Sequence, residues 1–198
     1  AGEAAGKYTI TPSGDEIQGN YKVTYATGIL TINKAGTMTL TPELTGEKAE
    51  KVYDSKPLSG GAKATVTEGT TITYSTDGGK TWSETLPSIT NVGTLNVKAK
   101  AVNKNYEDAT VEYTLKVTRK AVTVTAEDKT KVFGAEDPKL TATVDGTLGD
   151  DTVEYALTRE EGEAVGEYAI TASGKAEQGN YSVTYVAGTL TITSKVID

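Results

Sequence analysis

The chain has 198 residues and is acidic, with 20 Lys and Arg against 27 Asp and Glu and a formal net charge of −7. Because it contains neither His nor Cys, a Ser-His-Asp triad, a His-ligated zinc, a thiolate nucleophile and a disulfide are all excluded. Arg occurs only at Arg119 and Arg159, so the chain lacks the basic face that nucleic-acid binding requires. No apolar run is long enough to span a bilayer. We therefore expect neither a nucleic-acid partner nor membrane insertion.

Apolar and polar residues alternate most clearly in four segments, 21–25, 95–101, 111–117 and 181–185. This period of two predicts strands that bury one face, and turn-forming pairs such as Gly19-Asn20 recur about every ten residues. We therefore predict an all-β fold of tandem small antiparallel Ig-like sandwich modules in an elongated array. Modules of the β-grasp type are the alternative, although no segment has the pattern of an amphipathic helix that would cross such a sheet.

The beginning and the end of the chain repeat each other. Residues 1–33 align without a gap with residues 161–193, and 20 of the 33 positions are identical. The middle of the chain repeats the same pattern more loosely. One Asn-Tyr pair occurs near the start, one in the middle and one near the end of the chain, and ten residues after each Asn comes the Leu of a Leu-x-(Ile/Val) ending. We therefore place a second module at 35–119, a third at 120–195, and the start of the next linker at 196–198.

Residues 1–34 hold only the C-terminal half of a first module, and the junctions between modules contain almost no linker. Short junctions restrict the angle between modules, so we expect neighbouring repeats of the same chain to be partners. The half module lacks the strands that residues 120–165 supply to the third module, which leaves unpaired strand edges. We expect it either to pack in part on the middle module or to take strands from another chain as a swapped dimer through 1–34.

The third module carries a family resemblance. Its motifs are Lys131-Val132-Phe133-Gly134, Asp137-Pro138, Gly146-x-x-Gly149-Asp150, Val165-Gly166-x-Tyr168-x-Ile170-Thr171 and Gly179-Asn180-Tyr181. These residues resemble the MBG repeat of the YGX type, which occurs in large extracellular bacterial proteins, and residues 1–34 resemble its second half. The family usually has Tyr where this chain has Phe133, a change that should keep the packing and lose a hydroxyl hydrogen bond.

The middle module is similar to related bacterial Ig-like repeats that begin Lys-Val-Tyr-Asp-Gly. Here the segment is Lys51-Val52-Tyr53-Asp54 with Ser55 in place of the Gly, so the turn after Asp54 should differ. Together these resemblances imply a stalk or adhesin-type repeat that is extracellular, on the bacterial cell surface or secreted. They imply no catalytic residues, because the family has none.

The segment Ser75-Thr76-Asp77-Gly78-Gly79-Lys80-Thr81-Trp82 resembles the Asp-box turns of sialidases and other propellers. Asp77 is expected to accept hydrogen bonds from the turn, and Trp82 to pack back on the hairpin. A propeller needs several such boxes, and a sialidase needs an arginine cluster, so catalysis is disfavoured. Trp82, Tyr74 and Asp77 are our candidate ligand contacts, and the alternative is that the lone Trp only anchors the hairpin or core.

Four acidic clusters raise the question of calcium: Glu127-Asp128, Glu136-Asp137, Asp150-Asp151 and Glu160-Glu161-Glu163. Calcium requires six to eight converging oxygens, and none of the clusters has the spacing of a dedicated calcium loop. We interpret them as solvated acidic surface. The sequence therefore supports no cofactor and no metal site.

Three functions remain open from the sequence. The first is a non-catalytic spacer that projects other domains from a bacterial surface, supported by the repeats and the negative charge. The second is an adhesive module that binds mucin, a glycan or a host matrix protein through Trp82 and the adjoining loops or through an exposed sheet edge. The third is a fragment of a glycan-active enzyme, for which nothing places two acids across a cleft. We favour the first, with no enzymatic activity.

Overall fold

The computed structural model describes residues 4–44 and 49–197. Within these two ranges all regular structure is β and no helix occurs, which confirms the predicted all-β fold and leaves no crossing helix for a β-grasp module. The turn near Gly149 contains a backbone hydrogen bond from Asp151 to Leu148 and does not continue as a helix. The chain divides into two compact units. Unit 1 consists of Ala1–Glu47, Ser59–Pro87 and Leu95–Thr114, and unit 2 of Lys48–Leu58, Ser88–Thr94 and Leu115–Asp198.

The strands are as follows in chain order. The first five are β1 Gly6–Ile10, β2 Ile17–Gln18, β3 Tyr21–Lys22, β4 Gly28–Ile32 and β5 Leu40–Leu44. The next six are β6 Glu50–Val52, β7 Leu58–Ala64, β8 Thr70–Ser75, β9 Ser88–Ile89, β10 Gly93–Asn103 and β11 Ala109–Thr118. The last eight are β12 Lys120–Ala126, β13 Lys129–Val132, β14 Ala142–Asp145, β15 Ala156–Arg159, β16 Gly166–Ser173, β17 Glu177–Gln178, β18 Tyr181–Val186 and β19 Gly188–Thr193.

The N-terminal part of unit 1 consists of two small antiparallel pairs. Strand β1 pairs with β4, with Gly6 opposite Ile32, and β2 pairs with β3, with Gln18 opposite Tyr21. These pairs leave large apolar side chains exposed, including Ile10, Tyr21 and Leu30. This region therefore has strands and turns but little buried core.

The rest of unit 1 has a buried core. Strand β5 pairs with β7, and β8 pairs with β10, both antiparallel. Alternate residues of β10 point inward, as the period of two predicts, so that Val97, Ala99 and Ala101 are fully buried. Tyr113 closes this core and donates a hydrogen bond from its hydroxyl to the Gly60 carbonyl at 2.8 Å. Burial, with a smaller contribution from nearby Tyr74, raises the pKa of Tyr113 to about 12.

Unit 2 contains two four-stranded sheets. Their strand orders are β14-β12-β18-β17 and β13-β19-β16-β15. Apolar side chains from both sheets form a fully buried core, whose largest members are Val122, Val124, Ile170, Leu190 and Ile192. This is a sandwich-like arrangement of the kind predicted from the alternating pattern.

Several strand pairs in unit 2 are parallel. Strand β12 pairs in parallel with β18, β13 with β19, and β6 with the end of β11. The alternating pattern does not distinguish these pairs from antiparallel ones, because side chains alternate between faces in both. Long connections between the paired strands make the parallel orientation possible. Phe133, which directly follows β13, is half exposed, so the described residues cover it only in part.

Candidate functional site

The Asp-box segment forms a tight turn directly after β8 in unit 1. The Asp77 carboxylate accepts hydrogen bonds from the backbone N–H groups of Lys80 at 2.9 Å and Thr81 at 3.0 Å and from the Thr81 hydroxyl at 2.6 Å. The Ser75 hydroxyl donates to the same carboxylate at 2.7 Å. The hydrogen bonds from the hydroxyls of Thr81 and Ser75, followed by those from the backbone, hold the pKa of Asp77 far below its ordinary value of 3.8. The carboxylate is thus charged and fully engaged by its own turn.

Trp82 packs over this turn. Its indole N–H donates to the Gly79 carbonyl at 3.0 Å. A Cβ atom added at Gly79 would lie 3.5 Å from the Trp82 ring and 3.8 Å from Cδ of Lys98, so the ring lies close to the turn backbone and near that lysine. The Trp82 side chain nevertheless remains 37% exposed. It therefore both anchors the hairpin and presents an aromatic surface to solvent.

Tyr74, the third candidate ligand contact, is not at the surface with Trp82. Its side chain is buried, and its hydroxyl accepts a hydrogen bond from the Ala62 N–H at 3.2 Å. Its backbone exchanges two hydrogen bonds with Ser83, at 2.7 and 2.9 Å, which closes the base of the Asp-box hairpin. The structure thus places Tyr74 in the core, Asp77 inside the turn and Trp82 at the surface.

A shallow cavity of about 280 Å³ opens beside the hairpin. It is lined by Ser75, Gly78, Asn96, Val97, Lys98, Glu112, Tyr113 and Thr114. Lys98 and Glu112 form an ion pair across the surface at 3.1 Å. The lining thus offers an amide, hydroxyls, a cation and a carboxylate, a combination that can hydrogen-bond sugar hydroxyls or a peptide backbone. Of these groups, Lys98 also lies beside the turn on which Trp82 packs.

Unit 2 contains a cluster of four charged side chains that the sequence reasoning missed. The buried Lys131 ammonium donates to Asp137 and to Glu163, each at 2.6 Å. The Arg159 guanidinium donates to Asp137 at 2.7 Å and also to Glu163. The one sequence signal was Lys131 at an inward position of a short strand, where an apolar residue is the norm.

This cluster is electrically balanced, with two cations and two carboxylates. Hydrogen bonds from Arg159 and then Lys131 lower the pKa of Asp137, and those from Lys131 and then Arg159 lower the pKa of Glu163. Hydrogen bonds to Asp137 and then Glu163 raise the pKa of both cations. All four groups are thus held in their charged forms, and the cluster joins β13 and β15 to the loops that follow each of them.

The acidic clusters seen in the sequence contribute carboxylates to internal contacts. Glu127 accepts from the Thr141 hydroxyl at 2.6 Å, and Asp128 accepts from the Thr189 N–H at 2.7 Å. Asp151 accepts from the Tyr181 hydroxyl at 2.5 Å, beside a polar groove of about 640 Å³. Over residues 4–44 and 49–197, no group of three or more His, Cys, Asp or Glu side chains is placed to hold a metal ion.

Comparison with known proteins identifies a domain family for one part of the chain. In the part of the chain that the structure describes, no helix is long and apolar enough to cross a membrane. No curated protein matches the chain. The MBG domain is a non-enzymatic repeat type associated with bacterial surface proteins. Residues 122–191, which include most of the sandwich of unit 2, match the family model of the MBG domain of the YGX type, as the motifs predicted.

Proposed function

We propose that this chain is a non-catalytic spacer of a bacterial cell-surface protein. The observation that carries the proposal is the match of residues 122–191 to the MBG domain. The repeat of residues 161–193 by residues 1–33 supports it, because tandem copies of one module are typical of chains that separate other domains from a surface. The net charge of −7 favours a soluble and well-hydrated chain.

Lack of enzymatic activity is part of the same proposal. The chain has no His and no Cys in its sequence. Asp77, Asp137 and Glu163, whose carboxylates each accept several hydrogen bonds, have lowered pKa values. A carboxyl that donates a proton as a general acid needs a raised pKa instead. These three carboxylates therefore suit structural hydrogen bonding and ion pairing.

Surface display of an epitope tests the spacer function. The chain is placed between a membrane anchor and the epitope on a bacterium with a thick polysaccharide layer, and antibody bound per cell is measured. We expect antibody binding to fall several-fold when the chain is omitted and to be restored by an unrelated all-β repeat of equal length. Equal antibody binding with and without the chain would contradict the proposal.

Adhesion is a second candidate, favoured by the exposed Trp82 ring and by the shallow cavity at the same hairpin, which Lys98 and Glu112 line. Aromatic residues in such positions dominate many recognition surfaces. The test is binding of the purified chain to immobilised mucin, glycans and matrix proteins. Adhesion through this site predicts saturable binding that Trp82→Ala abolishes and Trp82→Phe largely keeps.

Leu86→Ala is the matched control for adhesion, because Leu86 is also an exposed apolar residue near the hairpin. Adhesion at Trp82 predicts that this variant binds like the unmodified chain. Equal loss in both variants would point to a general effect on the hairpin, and binding that survives Trp82→Ala would place the contact elsewhere.

A further inference from the structure

The turn at Asn180-Tyr181 in unit 2 contacts Tyr53 and Val92, which precede residues 122–191 in the chain. The ring of Tyr181 meets the ring of Tyr53 edge to face, with centroids 5.7 Å apart and planes at 88°, a favourable arrangement for two aromatic rings. Beside it, the Asn180 side chain accepts from the Val92 N–H at 2.9 Å and donates to the Asn91 side chain at 3.1 Å. Tyr53 and Val92 therefore form a receiving face for an Asn-Tyr turn.

The sequence contains a second copy of this receiving face. Lys131-Val132-Phe133 repeats Lys51-Val52-Tyr53, and Val165-Gly166 repeats Val92-Gly93. Phe133 and Val165 are thus the counterparts of Tyr53 and Val92.

The backbone around the two copies is equivalent as well. Strand β6 pairs in parallel with the end of β11, and β13 pairs in parallel with β19. The Tyr53 N–H then donates to the Thr118 carbonyl at 2.8 Å, and the Phe133 N–H donates to the Thr193 carbonyl at 2.8 Å. Phe133 therefore leaves its strand in the same local geometry as Tyr53.

The two copies differ in what covers them. Tyr53 is 8% exposed under Tyr181, whereas its counterpart Phe133 is 50% exposed. Val165, the counterpart of Val92, is exposed as well. The contact at Tyr53 uses the face and edge of a ring, which Phe supplies as well as Tyr. Phe133 and Val165 thus offer the same chemistry as the occupied face, and no residue among 4–44 and 49–197 covers them as Tyr181 covers Tyr53.

The segment that follows β19 indicates what the occupant is. Thr193-Ser194-Lys195-Val196-Ile197 has the pattern of Thr118-Arg119-Lys120-Ala121-Val122, in which Lys120 begins β12. In the occupied copy the Lys120 N–H donates to the Asn180 carbonyl at 3.0 Å, which ties the first residue of the module to its Asn-Tyr turn. A module that begins at Lys195 would bring its own Asn-Tyr turn to the same place relative to Phe133.

We propose that Phe133 and Val165 form a docking face for the Asn-Tyr turn of a further repeat of the 120–195 type, joined at Lys195. The Tyr ring of that repeat packs edge to face on Phe133, and its Asn side chain accepts a hydrogen bond from the Val165 N–H. The partner is recognised by an aromatic ring and a carboxamide in adjacent positions, as in Asn180-Tyr181. The inference holds whether the chain acts as a spacer or as an adhesin.

The test is a longer chain in which Ser194 is followed by a second copy of residues 120–195. The exposed substitution Glu167→Asp in the added copy gives its peptides a different mass from those of the first copy. Amide hydrogen exchange at Val165 of the first copy is then measured by mass spectrometry. We expect exchange about tenfold slower or more than in the original chain, because a bound amide exchanges only when the contact opens.

Two variants of the first copy give the controls. Phe133→Ala is expected to return exchange at Val165 to the rate in the original chain. Tyr155→Ala, which removes another exposed aromatic side chain of unit 2, is expected to leave the slow rate unchanged. Equal exchange at Val165 in the original and extended chains would overturn the proposal. Protection in the original chain that rises with protein concentration would also overturn it, because the occupant would then be a second molecule.

A substitution in the original chain tests the same chemistry without the added copy. Tyr53→Phe gives the occupied face the same two side chains, Phe and Val, as the open face at Phe133 and Val165. We expect exchange at Val92 to stay within about twofold of the original rate, whereas Tyr53→Ala accelerates it about tenfold or more. A tenfold acceleration in Tyr53→Phe would show that Phe cannot hold the turn and would overturn the proposal.

Discussion

Residues 6–32 and 166–192 have closely similar sequences and the same strand pairs, yet they differ in burial. Gly6 lies opposite Ile32 in β1 and β4, and Gly166 lies opposite Ile192 in β16 and β19. Tyr21 is 77% exposed where Tyr181 is 4% exposed, and Leu30 is 47% exposed where Leu190 is fully buried. The difference shows that local sequence sets strand pairing, whereas burial depends on the strands that cover the pair.

Local hydrogen bonds are nearly identical in the two regions. The Gln18 amide donates to the Tyr25 hydroxyl at 2.8 Å, and the Gln178 amide donates to the Tyr185 hydroxyl at 3.0 Å. Each Tyr hydroxyl also donates to a carbonyl in the preceding turn, at 3.1 Å in the first copy and 3.0 Å in the second. Residues close in sequence form these contacts, so they persist with or without covering strands.

The contacts that differ join residues distant in sequence. In the second region, β18 pairs with β12 and β19 pairs with β13. In the first region, β3 and β4 correspond to β18 and β19, and among the described residues they pair only with β2 and β1. The Gln178 side chain also accepts from the Glu154 N–H at 2.7 Å and donates to the Glu154 carbonyl at 2.8 Å. Residues 120–160 thus supply the additional strands, β12 to β15, that complete the two sheets of the sandwich.

The largest expected contrast is between Leu190→Ala and Leu30→Ala. Leu190 is fully buried in the core, so its truncation should lower the free energy of unfolding of unit 2 by about 2–5 kcal/mol. Leu30 is about half exposed, so the same change should alter the free energy by no more than about 1 kcal/mol. Urea unfolding followed by circular dichroism measures both. An equal cost at Leu30 would mean that its face is covered in solution, for example by the swapped dimer that stays a prediction from the sequence.

A smaller contrast is expected between Gln178→Ala and Gln18→Ala. Removing the Gln178 side chain leaves the exposed N–H and carbonyl of Glu154 to hydrogen-bond water instead, which should cost about 0.5–1.5 kcal/mol. Gln18 makes only the local contacts, so we expect a cost below about 0.5 kcal/mol. The same urea experiment compares the two variants. Equal costs would show that the bonds to Glu154 add no stability.

The smallest expected effect is on the pH dependence of unit 2 through the Lys131 cluster. The pKa values of Asp137 and Glu163 are lowered in the folded chain from ordinary values of 3.8 and 4.5. Their contribution to stability is therefore present above about pH 5 and is lost as pH falls through the lowered folded values. Lys131→Met should make the fall in urea midpoint between about pH 5 and pH 2 less steep. Identical slopes in the two proteins would show that the cluster does not couple protonation to folding.

The sequence predicts the local features well. The alternation in 111–117 and 181–185 indicates strands that the structure contains, and the Asp-box pattern indicates the hydrogen bonds accepted by Asp77. Both depend on residues within a few positions of each other. Periodicity and turn chemistry are therefore sufficient to predict them.

Features that depend on distant residues could not be read in the same way. The parallel orientation of β12 and β18 leaves no trace in the alternation of either strand. The buried Lys131 ammonium is paired with Asp137 and Glu163, which approach from two different loops. The residues adjacent to Lys131 in the sequence do not predict either ion pair. Likewise, the burial of Tyr74 follows from the position of Ala62 and the strand pairs around it.

The parallel pairs of unit 2 have a mechanical consequence. Strand β12 begins at Lys120 and β19 ends at Thr193, and the neighbours β12–β18 and β13–β19 run in the same direction. A force that pulls Lys120 and Thr193 apart along the strands shears these neighbours past each other. Hydrogen bonds loaded in shear share the force, whereas those of an antiparallel hairpin pulled from its open end break one at a time. The order of strands thus makes the module suited to bear tension along the chain.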